Sequence, residues 1–405
     1  MKLRPLLLLA LILSLPLHAQ LVPAGPEIRV DTGDARNPVH VDVSMAPDGS
    51  YLVVWSYFQD AFSFDCSPGA IYGRRFDRAG SPVAPPFVVA HPGRSCVEDL
   101  RLGPLVDGRR LLVWRAASGK FHPADLRVIA IDASGRATRV KRTFSANTTA
   151  DVIPLRSGGL LAAHHTQYAR QSDLRGERFD ALGRPVGKPF VIARDPGLVY
   201  GVDAAETLGG DLAVTWISYD DADRPSLLAR TLNAKGNPKS GIFQVNEERG
   251  FEFFGPRIES EASGGFAIAW SAGDFGGPEP APRVRAKLYQ PDGTPRSPEL
   301  ELTPGQGIYH NLEDAALGGG ELLAVWSVPL SSAQENYLPH DDIGASLLET
   351  DGRLVDIEEP LSEETGGLQR RTAVSTDRKG LWAVAWAGDG PEGRGIYTRV
   401  FTSRP

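Results

Sequence analysis

The stretch from Pro47 to Val89 decides the fold. It holds Asp48-Gly49, the apolar run Tyr51-Leu52-Val53-Val54-Trp55, the segment Ile71-Tyr72-Gly73-Arg74-Arg75-Phe76-Asp77, then Gly80, then Phe87-Val88-Val89. Asp48-Gly49 reads as a hairpin turn, because glycine takes the positive φ that tight hairpins require. The run before Trp55 is short, continuous and bounded by turn residues, which suits a strand covered on both faces. Asp77 and Gly80 mark the end of a third strand, and Phe87 to Val89 supply a fourth.

Working outward, the same order returns along the chain. A glycine six residues upstream leads to Trp55, Trp114, His164, Trp216, Trp270, Trp326 and Trp386, so six of the seven tryptophans share one register and a histidine takes the place in the third unit. The spacing is about 50 to 60 residues, longer than helical repeats of the ankyrin or tetratricopeptide kind. A second register places Asp77, Asp132, Asp180, Asn233, Gln290 and Glu349 three residues before a glycine. Fourth strands follow at Phe87/Val89, Phe190/Ile192, Phe243/Val245 and Leu300/Leu302. The seventh unit runs out after its third strand at Ile396 to Phe401. A spare strand of the fourth type stands at the other end, at residues 26–33 around Ile28 and Val30. One missing and one spare strand predict a ring closed by the N-terminal segment, which removes open sheet edges.

The expected fold is therefore all-β: a seven-bladed β-propeller with four-stranded blades, forming one domain over residues 20–405. The expected blades are 38–92, 96–146, 149–194, 200–248, 255–305, 310–362 and 369–405, the last completed by 26–33. With 44 Gly and 32 Pro in 405 residues, the chain carries the turns this architecture needs. The repeat resembles that of secreted bacterial β-propeller proteins with Gly-x-x-Val-Val-x-Trp and Tyr-Gly-Arg-Arg-Phe-Asp-type segments. That resemblance covers nearly the whole chain after residue 19, implies the fold, and brings no settled activity.

Lys2 and Arg4 precede an apolar run from Leu6 to Leu15 that ends near Ala19. This is the pattern of a secretory signal peptide over residues 1–19, shorter than the roughly 20 apolar residues of a membrane span. A secreted or periplasmic protein is expected, with no membrane span. The formal net charge of −7 and the lack of a basic block exclude nucleic acid as an expected partner. The only two cysteines, Cys66 and Cys96, fall in connections on one face of the disc, and in an exported protein they read as a disulfide.

Function is less legible. No Gly-x-Ser-x-Gly elbow, His-Glu-x-x-His or P-loop occurs, and the sialidase-type repeat is approached only once, at Ser375 to Trp382. The connections between second and third strands are the longest, and two of them carry Tyr57, Phe58, Phe62 and Phe64, and Tyr337 and His340. Aromatic loops on one face of a rigid scaffold suit a binding surface. The leading expectation is a non-catalytic binding scaffold for a protein or carbohydrate ligand, expected to be a monomer.

Seven residues before the turn glycines stand Asp42, Asp151, Asp203 and Glu313, with Glu98, Asp99, Glu259 and Asp314 nearby. Converging carboxylates would suit Ca2+, the one cofactor worth expecting, and a cation-dependent hydrolase or lyase at an axial acidic mouth is the alternative reading. Arg101 and Arg257 share that register, which favours a self-paired channel. His164 and His165 point to opposite faces of their strand, so they do not ligate one ion, and His164 reads as a replacement for the core tryptophan.

Overall fold

A computed structural model describes residues 20–33, 37–58, 69–92, 96–117, 125–144, 149–165, 173–247, 252–273, 282–303, 310–328, 342–358, 360–363 and 369–404. These residues form seven antiparallel sheets of the expected propeller. Within a blade, strands a to d run outward from the axis. The inner strands a are Asn37–Met45, Cys96–Leu102, Thr149–Pro154, Leu198–Glu206, Glu252–Ser260, Asn311–Gly318 and Gln369–Thr376. No helix among the described residues is long and apolar enough to cross a membrane.

Closure happens in blade 7. Its third strand, Gly393–Arg404, pairs with Ile28–Arg29 through Thr398 and Tyr397, and with Gln20–Pro23 through Phe401 to Arg404. The closing segment is thus longer than residues 26–33. Residues 20–25 precede the expected closing strand, and Ala24 donates to the Val400 carbonyl at 2.8 Å and holds them on the sheet. Leu21 and Val30 are buried, and the Arg74 guanidinium donates to the carbonyls of Arg29 and Val30 at 3.0 Å each.

The repeated residues earn their recurrence in the gaps between blades. Seven apolar clusters fill those gaps, each drawn mainly from two neighbouring blades. The register tryptophans occupy six of them. The seventh gap, between blades 2 and 3, falls where His164 replaces tryptophan, and its cluster holds one aromatic, Phe179. His164 itself is half-buried, so it vacates the core rather than filling it. The indole nitrogens of Trp55, Trp216, Trp270 and Trp386 have no hydrogen-bond partner, so bulk is what repeats. Trp326→Ala is expected to cost about 3–5 kcal/mol, read as a lower urea midpoint at unchanged slope.

The glycines of the second register also join blades. Gly135 and Gly236, in the c–d turns of blades 2 and 4, have φ of 86° and 82°. A Cβ on either would lie 2.0 or 2.2 Å from the ring of Phe87 or Phe190, the fourth-strand phenylalanine of the preceding blade. Turn conformation and inter-blade packing therefore demand glycine at the same place.

Candidate functional site at the axis

Every inner strand presents one side chain at the level of the axial register. The ladder fixes these as Asp42, Arg101, Asp151, Asp203, Arg257, Asp314 and Ala373, paired with Val54, Val113, Ala163, Thr215, Ala269, Val325 and Ala385. Asp314, rather than the expected Glu313, holds the place in blade 6. That hairpin is a residue shorter, with Gly318 facing Glu321, so counting back from Gly320 lands one position early. Glu313 instead accepts from the Ser327 hydroxyl at 2.7 Å, and its carboxyl is raised by burial against that bond.

The axial carboxylates latch one blade to the next. Asp42 accepts from the Leu102 amide at 2.6 Å, Asp151 from Val202 at 3.2 Å, Asp203 from Ile258 at 3.0 Å and Asp314 from Val374 at 3.0 Å. Arg257 pairs with the second Asp314 oxygen at 3.2 Å. Burial alone would lower Arg101, but Asp203, Asp314, Asp42 and Asp99 outweigh it and hold its pKa above the usual value. Of the axial residues only Arg257 and Asp314 form an ion pair, while the other carboxylates bind backbone amides, among the described residues. Among them, no three His, Cys, Asp or Glu side chains gather as a metal-binding group.

Burial pushes Asp42 up to about 7, helped by Asp314 and opposed by Arg101, and pushes Glu259 up to about 8. A raised acid binds its proton more tightly folded than unfolded, so its stabilisation is full at low pH and is lost as pH climbs through the folded pKa. Burial lowers His40 to about 4, which works oppositely, but that change is complete once pH exceeds the ordinary histidine range. The melting temperature is therefore expected to fall as pH rises from the ordinary carboxylate range at about 4 to about 8, most clearly between about pH 6.5 and about pH 8 where His40 no longer opposes it, and less so in Glu259→Gln; equal slopes in the two proteins would contradict it.

The axial ring divides the channel, with Arg101 and Arg257 lining both halves. The larger half, about 330 Å³, opens on the face where the inner strands begin, between blades 2, 3, 4 and 5. Two structural devices shape it. The first is a bulge in the inner strand, with positive φ at Asp99, Gly201, Gly255 and Arg371, each two residues before the register position. Bulges re-aim neighbouring side chains, and here one turns Tyr200 to the mouth, 47% exposed. Tyr200 packs edge-on against Tyr219 at 5.5 Å, whose hydroxyl donates to Glu252 at 2.7 Å.

The second device is the residue after the register tryptophan. It is Ser56, Ile217, Ser271, Ser327 or Ala387 in five blades, but Arg115 in blade 2 and His165 in blade 3. Both line the cavity, with His165 only 5% exposed and Arg115 paired to Asp99 at 2.6 Å. Asp151 lies beside them, raised to about 6 by burial and by Asp99. The cavity thus combines Arg101, Arg115 and Arg257 with His165, Tyr200 and Asp151. The axial register exposes Asp151, Arg101 and Arg257 in the sequence, but not Arg115, His165 or Tyr200. Reading one residue past the tryptophan would have separated blades 2 and 3 from the rest.

The expected loop-face residues are placed unevenly. Tyr57 lies within the second strand of blade 1, Tyr51–Phe58, rather than in a loop. Its hydroxyl donates to Asp31 at 2.8 Å and its ring meets Tyr72 edge-on, so it belongs to the seam closed by the N-terminal segment. Phe58 ends the same strand opposite Asn37. Phe62, Phe64, Tyr337 and His340 lie outside the described residues, as does Cys66; Cys96 begins the inner strand of blade 2.

No family model and no curated protein matches the sequence. Solved structures do match its architecture. A polysaccharide lyase of family PL25, an ulvan lyase, is 12% identical with a TM-score of 0.53, the match covering 92% of this chain and 97% of that one. A prolyl endopeptidase is 13% identical with a TM-score of 0.52, covering 89% and 47%. A Dyadobacter fermentans protein of unknown function is 12% identical with a TM-score of 0.49, covering 95% and 99%. At these identities the likeness is one of fold.

Proposed function

We propose that the protein is an exported glycan-active enzyme whose axial cavity takes an acidic saccharide, and that its chemistry is of the lyase class. One observation carries this: Arg101, Arg115 and Arg257 line a single cavity with His165 and Tyr200. A uronate unit presents a carboxylate that guanidinium groups neutralise, ideally with paired hydrogen bonds. Elimination then requires a base to take the proton beside that carboxylate and an acid to protonate the departing glycosidic oxygen. Arg115 is the carboxylate partner in this reading, and His165 and Tyr200 are the proton carriers. Tyr200 also offers an exposed aromatic face to a sugar ring. The architectural match to an ulvan lyase, also solved with a GlcA(1-4)Rha3S fragment, supports this choice of reaction class.

The test is incubation with glucuronate-containing polysaccharides while following the ultraviolet absorbance of the conjugated double bond that elimination creates. Saturable binding without that product would return the protein to a non-catalytic carbohydrate-binding scaffold, the second reading, which the exposed Tyr200 and Phe254 of adjacent inner strands favour. The Ca2+ of the alternative reading has no role in this mechanism, since Asp42 and Asp314 already spend both oxygens on the chain. Exhaustive chelation is expected to leave turnover unchanged; a loss that Ca2+ restores would bring the cation back.

A further inference from the structure

The opposite half of the channel, about 180 Å³, opens among the a–b hairpins and has a different chemistry. Arg156 and Arg378 line it from blades 3 and 7, each two residues before its turn glycine, Gly158 or Gly380. At this hairpin position blades 1, 2, 4 and 5 carry Pro47, Val106, Leu208 and Ala262. Arginine therefore stands on well-separated blades and points into one mouth. Arg378 does so from a backbone φ of 63°, a left-handed conformation that few residues other than glycine adopt without cost.

Among the described residues, neither guanidinium has an ion-pair or hydrogen-bond partner. Arg156 is nevertheless close enough to Arg378 to feel its charge: burial lowers the Arg156 pKa first and Arg378 lowers it further, opposed by Glu259 and by Glu206, which pairs with Arg178. Glu259 of blade 5 lines the same mouth without a hydrogen bond, and its raised pKa leaves it largely protonated near neutral pH. The hydroxyls around it are already committed. Ser260 donates to the Glu206 carbonyl at 2.7 Å, and Ser375 accepts from the Met45 amide at 3.0 Å. Two guanidiniums that line one mouth with no ion pair to a carboxylate among the described residues, beside an acid that keeps its proton, form a site complementary to an anion.

We propose that the a–b mouth of the channel is a second ligand site, selective for a tetrahedral oxoanion such as sulfate or phosphate, free or as an ester on a small molecule. Arg156 and Arg378 clamp the oxygens from opposite sides and Glu259 donates its proton as a hydrogen bond. The site is separate from the axial cavity of the other face, because the Arg101 and Arg257 ring lies between them. It does not depend on the lyase reading.

The test is calorimetric titration of the full chain with inorganic sulfate and phosphate at fixed ionic strength. Saturable binding is expected in wild type, weakened at least tenfold in Arg156→Gln with Arg378→Gln, unchanged in Tyr200→Ala, and no weaker in Glu259→Gln, which keeps a donor and loses no needed charge. Arg378→Gln alone guards against misfolding, since this side chain is exposed, and it is expected to weaken binding several-fold. Equal binding by the double variant, an equal effect of chloride, or loss of binding in Glu259→Gln would each overturn the proposal. Methyl sulfate or methyl phosphate in place of the inorganic ions distinguishes an esterified ligand from a free one.

Discussion

His165→Ala is expected to lower elimination from a uronate polymer by about 10²–10⁴-fold, the range for a lost general acid or base, with little change in affinity for the acidic chain. Tyr200→Phe should behave alike, since it removes the hydroxyl and keeps the ring that meets Tyr219 and the sugar. Arg115→Ala should act differently. Its guanidinium is held by Asp99 at the cavity wall, so its loss should weaken substrate binding and turnover together. The physical basis is that His165 is nearly buried yet lines the cavity, at a position that Ile217 and Ala387 fill with apolar side chains in blades 4 and 7. Product formation that survives both His165→Ala and Tyr200→Phe undiminished would remove these residues from the chemistry.

A chain beginning at Gly33 is expected to be destabilised by more than about 5 kcal/mol. Burying an aliphatic side chain is worth about 1.5–3 kcal/mol, and the truncation removes both Leu21 and Val30. It also strips the ladder from Gly393–Arg404 and leaves the carbonyl-bound Arg74 and the Tyr57 hydroxyl without their partners. The exposed edge of blade 7 would then be open to pairing with another chain. Urea denaturation reads the loss, and a synthetic peptide of residues 20–33 should restore part of it. An unchanged midpoint would mean that the N-terminal segment does not hold the ring shut.

The fold was legible because a propeller repeats its packing. Trp55 and its counterparts, Gly135 with Phe87, and Asp77 with its turn amides recur for reasons that each gap or turn imposes again. A site in such a fold is the opposite kind of feature, marked by departure from the repeat. The carboxylates at the axial register were visible by counting, but most of them latch neighbouring blades, a role that counting does not reveal. Glu313 was displaced by one residue because the blade 6 hairpin is short, and turn length is not written in apolar periodicity. Tyr200 was passed over because its exposure comes from a bulge beside Gly201, and a bulge leaves little trace in sequence beyond an unpatterned glycine. Arg115 and His165 were in plain view one residue past the register position, but the pair His164-His165 drew attention to metal ligation and away from the position that His165 shares with Arg115.

Calorimetric titration decides whether the cavity where the inner strands begin is the site for an acidic saccharide. Wild type, Arg115→Ala and Tyr200→Ala would each be titrated with a uronate oligosaccharide and with its carboxyl-reduced, neutral counterpart. The expected result is binding of the acidic oligosaccharide by wild type, at least tenfold tighter than the neutral one, with both substitutions weakening it by an order of magnitude or more. Equal affinity for the two oligosaccharides, or full affinity in both variants, would contradict the account and move the functional site away from this face of the axis.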